Sequence, residues 1–337
     1  MSLARARVSV TGTFFLNGAV FSSWYARLPS IQERLELSPG ELGIALLGAP
    51  VGLLVAQPVI GALAARVGSR PIVAAAPLYL GAVVLPALAI DTATLLLAVV
   101  VVGAANGVLD IAMNAQGLAV ERASGRRLFS SLHAAFSFGA LAGAVFAAAA
   151  TAAEVAPLAH LATSAVLGAA LGAALAPGLM RDRGNPHAAR FARPSRRLAA
   201  LGVIAFCALL AEGAVFDWSG VYLSTQAGAS AALAPLGLAA FSLFMGAGRL
   251  GRIASPPASA RRRSRAAARC SPRSASALRS GWRPRPRRSS GSRSWAWASR
   301  PSSRSRCAPP ASQASTPLPV SPPSLPSAMA DSSPARP

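Results

Sequence analysis

Eight predominantly apolar stretches, each near the length needed to cross a bilayer as a helix, succeed one another along the chain with short polar breaks between them. They run over about 8–26, 41–65, 71–90, 94–120, 128–153, 155–180, 198–222 and 231–250. A hydrocarbon core of ~30 Å takes ~20 helical residues, so the pattern predicts an all-α, polytopic membrane protein. Only Glu154 and Pro157 mark the turn between the fifth and sixth spans. The first span follows Arg5 and Arg7 as a secretory signal would, but Trp24-Tyr25-Ala26 is a poor small-residue cleavage site and seven spans follow.

The pattern stops near Arg252. Beyond it the chain reads as Arg261-Arg262-Arg263-Ser264-Arg265 and Pro284-Arg285-Pro286-Arg287-Arg288, with no apolar stretch long enough to span. Such composition cannot bury a core, so residues 253–337 are predicted to be disordered. Arg, Pro, Ser and Ala are also what GC-rich DNA yields when translated out of frame, and a reading-frame error is the expectation for this tail. A tail that binds nucleic acid or anionic lipid is the functional alternative.

Composition agrees with the span pattern. Mean hydropathy is +0.45 and 13% of residues are charged, against nearer a quarter in an ordinary soluble domain. The net charge of +22 would suggest nucleic acid, but it is unevenly spread. Residues 1–253 hold 17 arginines against 10 acids, while residues 254–337 hold 16 arginines against Asp331 alone. There is no lysine, a bias that points to a high-GC bacterium. Arginines at 5, 7, 66, 70, 122, 126 and 127, and six from 181 to 197, all fall on one side of the membrane; Arg27 and Arg34 fall on the other. The N-terminus is therefore expected to be cytoplasmic in a multi-pass protein of the bacterial inner membrane. Cys207, Cys270 and Cys307 have neither metal-like nor disulfide-framework spacing, and His160 and His187 have no partners at ligand spacing. No Walker loop, GxSxG elbow or HExxH helix occurs, so neither an enzyme nor a cofactor is expected.

Asn17-Gly18-Ala19-Val20-Phe21 in the first span returns as Glu212-Gly213-Ala214-Val215-Phe216 in the seventh. Leu42-Gly43 and Gly52 of the second span find counterparts in Leu236-Gly237 and Gly246 of the eighth. Matching positions in matching spans suggest parallel halves of a transporter. The expected division is a six-helix half over 1–180, a cytoplasmic loop over 181–197, two helices of a second half over 198–252, and the tail. Eight spans would then be two-thirds of twelve.

The fourth span places Asn106, Asp110 and Asn114 at i, i+4 and i+8, a polar stripe on one helical face within the membrane. Intramembrane acids are rare and usually face a bundle interior or an aqueous cavity, so Asp110 is the leading candidate for proton coupling. Asn17, Asn106, Asn114, Glu212, Asp217 and His133 are the candidate cavity residues. Glu212 and Asp217 are five residues apart and need not share a face. Between spans two and three, Gly61, Arg66, Gly68 and Arg70 form a glycine- and arginine-rich loop whose arginines could pair with acids or helix carboxyl ends and latch a conformational change.

That Gly-x-x-x-x-Arg-x-Gly-x-Arg segment, with the six-span repeat and long central loop, resembles the major facilitator superfamily over about residues 8–252. The family loop has an acid directly before its first Arg where this chain has Ala65. Gly248-Arg249-Leu250-Gly251 begins a related loop in the second half. Leu109-Asp110-Ile111-Ala112-Met113-Asn114 looks like the fourth-span motif of the fucose permease branch. Ser130-Ser131-Leu132-His133 and the run from Glu212-Gly213 to Leu223 look like bacterial relatives of that branch. The resemblance implies a monomeric secondary transporter that moves a small polar, sugar-like solute with protons, Asp110 standing where the branch has its protonatable acid. Efflux of amphipathic compounds by the same fold, and a non-transporting membrane protein whose tail binds RNA or anionic lipid, are the alternatives.

Overall fold

The computed structural model describes residues 2–182 and 195–254, all within one compact unit, Met1–Pro256. The expectations for residues 255–337, for most of the central loop and for His187, Cys270 and Cys307 lie outside the described residues. Among the described residues the regular structure is entirely helical.

Helices stand at all eight expected positions. α1 (Leu3–Tyr25) starts on Ser2, whose hydroxyl accepts from the Arg5 N–H, and is followed by a short α2 (Leu28–Arg34). The second span is two segments, α3 (Pro39–Leu46), opened by a Ser38–Glu41 capping box, and α4 (Gly48–Val67). The third departs most from the continuous helix expected over 71–90: it comprises α5 (Arg70–Ala74), α6 (Ala76–Leu80) and a 3-10 segment, Gly81–Leu88. Pro77 and Pro86 each lack the N–H that would continue an α-helical ladder, so the span breaks there. α7 (Thr92–Ser124) opens on an Asp91–Thr94 capping box and ends at left-handed Gly125. α8 (Phe129–Ala152), α9 (Pro157–Leu175), α10 (Arg196–Thr225) and α11 (Leu236–Ala254) complete the set.

Five of these spans, over 39–67, 92–124, 129–152, 157–178 and 198–225, are long and apolar enough to cross a membrane by length and composition. Ala76–Leu88 and Leu236–Gly251 are shorter apolar helices. α1 is long enough but carries Thr13, Asn17, Ser22 and Ser23, all of them buried. Its position explains that polarity: α1 packs on α8 and touches α7 and α9, so it faces protein more than lipid. Close approach depends on missing side chains. A Cβ on Gly18 would collide with the Phe136 carbonyl of α8, and one on Gly52 with the Val100 carbonyl of α7. Ser22 donates across the first contact to the Ala140 carbonyl (2.9 Å). α11 lies along α8, with Leu238 and Ala239 against Ala144 and Ala147, and Gly246 against Ser137 and Phe138. α10 is different: every residue from Leu198 to Leu210 is exposed.

Candidate solute and coupling site

Asn106, Asp110 and Asn114 occupy successive turns of α7, each half-buried. The Asn114 amide donates to the Asp110 carbonyl (2.8 Å) and to its carboxylate Oδ1 (3.1 Å). Among the described residues no other group donates to that carboxylate, and no cation pairs with it. The Asn106 Oδ1 is buried without a partner, as is the Oδ1 of Asn17, which is 1% exposed in α1. This row therefore keeps hydrogen-bonding capacity that the protein itself does not use.

Glu212 and His133 come together through one arginine of α11. Arg249 of α11 pairs with Glu212 of α10 (Nη2 to Oε1, 3.3 Å). Its Nη1 donates to the Ser137 hydroxyl (2.6 Å) and to the His133 carbonyl (3.1 Å) of α8. Ser130 donates back to the Arg249 carbonyl (2.9 Å). The His133 ring meets Phe14 edge-on at 5.3 Å. Asp217 is half-buried further along α10, beside Phe216, whose ring contacts Tyr25 edge-on at 5.5 Å. Among the described residues no hydrogen bond joins the Arg249 group to the Asp110 row.

At the end of the molecule holding Arg70, the loop is latched by its backbone. The Ser69 N–H and hydroxyl donate to one Asp182 oxygen (2.7 and 2.6 Å), and the Arg70 N–H donates to the other (3.1 Å). Gln116 of α7 donates to Ser69 Oγ (2.9 Å), the Met180 carbonyl (3.0 Å) and Asp182 Oδ1 (3.3 Å), and accepts from the Met180 N–H (3.0 Å). Burial works against the Asp182 charge, yet these donors hold its carboxyl below the usual aspartate range. Gly68 makes the approach possible with φ of 80°, and a Cβ there would meet the Asp182 carbonyl at 2.5 Å. Gly61 has open space around it and Arg66 is exposed. Asp182, the acid that meets this loop, thus takes backbone and hydroxyl donors rather than an arginine side chain, because three donors converge where the chain turns into α5.

Sequence reasoning missed Asp182 and Gln116. The signals were present: Gln116 is a polar residue two positions past Asn114 in an apolar span, and Asp182 is the one acid among the arginines of 181–197. It also missed Arg27, 2% exposed, which donates to the Val155 carbonyl (2.7 Å) and to His160 Nδ1 (3.3 Å), tying the turn after α1 to α9. No cluster of three or more His, Cys, Asp or Glu able to hold a metal occurs among the described residues.

A bundle of apolar helices with an acid–asparagine row on one span and a glycine–arginine loop between two others matches a family model, the Major Facilitator Superfamily, over residues 10–273. The chain belongs to that superfamily. It is an integral membrane protein of a transporter family and not an enzyme. It is 36% identical over 223 residues to an uncharacterized MFS-type transporter of Yersinia pestis, covering 64% of this chain and 57% of that protein. With the membrane protein MosC of Rhizobium meliloti it shares 31% identity over 246 residues, covering 72% of this chain and 60% of MosC. The chain spans less than two thirds of the length of these superfamily relatives. Among solved structures, it is similar to the nucleoside transporter NupG, with 16% identity, a TM-score of 0.48, and coverage of 71% of this chain and 64% of NupG.

Proposed function

We propose that this superfamily member is a secondary active transporter of a small polar, sugar-like solute, of the fucose permease-like bacterial branch, coupled to protons through Asp110. The proposal places a monomer in the inner membrane with its N-terminus in the cytoplasm, alternating access between two halves of which residues 198–252 begin the second. Asp110 carries the reading: it is an acid within a membrane span whose carboxylate meets one amide donor and no cation. Such a group can take up and release a proton as its access to water changes, and its loading can be linked to solute occupancy. Asn106, Asn114 and Asn17 supply amide groups suited to hydroxyl-rich solutes. Glu212, Asp217 and His133 belong to the facing wall. The loop of Gly61, Arg66, Gly68 and Arg70 latches the cytoplasmic side through Asp182.

The test uses proteoliposomes holding the full chain in lightly buffered medium. A set of pentoses and hexoses is added in turn while external pH is followed. Alkalinisation by one of them is expected in the wild type and is expected to vanish in Asp110→Asn. Sugar-dependent proton uptake that persists in the variant removes Asp110 from the mechanism.

A further inference from the structure

A second polar site lies away from the Asp110 row, at the end of the bundle where the first, third and sixth spans meet. Arg5, Arg70 and Arg181 line one cavity of about 500 Å³ together with Pro177 and Met180. Three arginines lining one space make it strongly positive, and an anion there would be attracted to all three. Among the described residues none of the three has an acid within ion-pair distance. The nearby acid, Asp182, is already committed to Ser69, to Gln116 and to the backbone N–H of Arg70, which leaves the Arg70 guanidinium for the cavity. Arg5 and Arg181 are exposed, and the Arg5 stem runs close to Gly178, where a Cβ would lie 3.2 Å from Arg5 Cγ.

The cavity does not end in water alone. Arg70 and Pro177 also line a neighbouring groove of about 460 Å³ whose other walls are Pro71, Ala74, Ala173 and Ala176, between the third and sixth spans. A charged compartment at a helix-end boundary thus shares Arg70 and Pro177 with a groove whose other walls are apolar. That pairing matches an amphiphile with an anionic head and a hydrocarbon chain. A free anion would use only the first compartment, and a zwitterionic lipid would leave the three positive charges uncompensated.

We propose that Arg5, Arg70 and Arg181 bind the phosphate-bearing headgroup of an anionic phospholipid whose acyl chain lies in the Ala74–Ala173 groove. Because Arg70 begins α5 directly after the Ser69–Asp182 latch, the lipid would hold the same hinge that the latch holds. The site depends on membrane insertion but not on Asp110, so loss of proton coupling and loss of lipid binding are separate outcomes.

The experiment titrates the full chain, in neutral detergent micelles, with acyl-labelled phosphatidylglycerol, and with acyl-labelled phosphatidylcholine for comparison. The expected result is at least about tenfold tighter binding of phosphatidylglycerol, as ~1 kcal/mol per arginine implies. The R5Q/R70Q/R181Q variant should lose that preference, while R122Q/R126Q/R127Q, which removes as much charge outside the cavity, should keep it. Ala173→Phe fills the groove and leaves all three arginines, so it should weaken lipid binding without changing displacement by glycerol 3-phosphate. It also serves if the triple variant fails to fold. Equal loss in both arginine variants would show a diffuse basic surface and overturn the site. So would full displacement by equimolar inorganic phosphate, or unchanged lipid binding in Ala173→Phe, either of which would mean that the acyl groove takes no part.

Discussion

Asp110 and Asp182 are both acids among apolar helices, and their surroundings differ in one respect that decides what each can do. Among the described residues Asp182 receives four donors, from Ser69, Arg70 and Gln116. Asp110 receives one, from Asn114, with an unpartnered buried oxygen on Asn106 a turn away. A fully satisfied polar network in a low-dielectric setting specifies one arrangement. An incompletely satisfied one leaves room for a proton or a solute. The same residue type is thus fully engaged just past the sixth span and, among the described residues, held by a single amide in the middle of the fourth.

The comparison breaks most clearly at Asp182. Asp182→Ala removes the acceptor of the Ser69 and Arg70 N–H groups and of the Ser69 hydroxyl, and should cost about 2–4 kcal/mol, read as a lowered midpoint of thermal unfolding in micelles. Asp110→Asn can keep an amide–amide bond to Asn114 and should stay within about 1 kcal/mol of wild type in the same assay. Equal losses from the two would erase the distinction.

Gly68→Ala tests the latch from its other side. A φ of 80° with ψ of 174° is essentially glycine-only backbone, so alanine should destabilise by about 1–3 kcal/mol. Asp182→Ala combined with it should add little, because both act on one contact.

The smallest effect is in pH. The Asp182 carboxyl is depressed in the folded protein, so the stability it contributes is complete above the unfolded value of about 3.9 and is lost as pH falls through the lower folded value. Melting points taken from pH 6 downward should fall more steeply below about pH 4 in wild type than in Asp182→Asn. Parallel curves would mean that the carboxylate is not the latch.

The contrast between the two acids was only half legible in the sequence. Asn106, Asp110 and Asn114 are adjacent on one helix, so spacing alone placed them on a face. The latch joins Ser69, Gln116 and Asp182, which are separated by up to 113 residues, and no periodicity links such positions. Span positions were readable because apolar length is a direct physical requirement of the bilayer. The broken third span was less so: Pro71, Pro77 and Pro86 were visible, but tolerance of proline in membrane helices made a continuous span the natural reading. Arg249 appeared in the sequence as the start of a repeated loop, and only packing of α11 along α8 showed that it reaches Glu212 and His133 at once.

The buried polarity of α1 bears on how the protein is made. α1 is synthesised before α8, yet the carbonyl to which Ser22 donates across their contact belongs to Ala140, 118 residues later. Until α8 is synthesised, the Ser22 hydroxyl has only the Ala19 carbonyl of its own helix (3.3 Å), and lipid supplies no other acceptor. The contact that this bond spans is therefore completed only after the fifth span has been made.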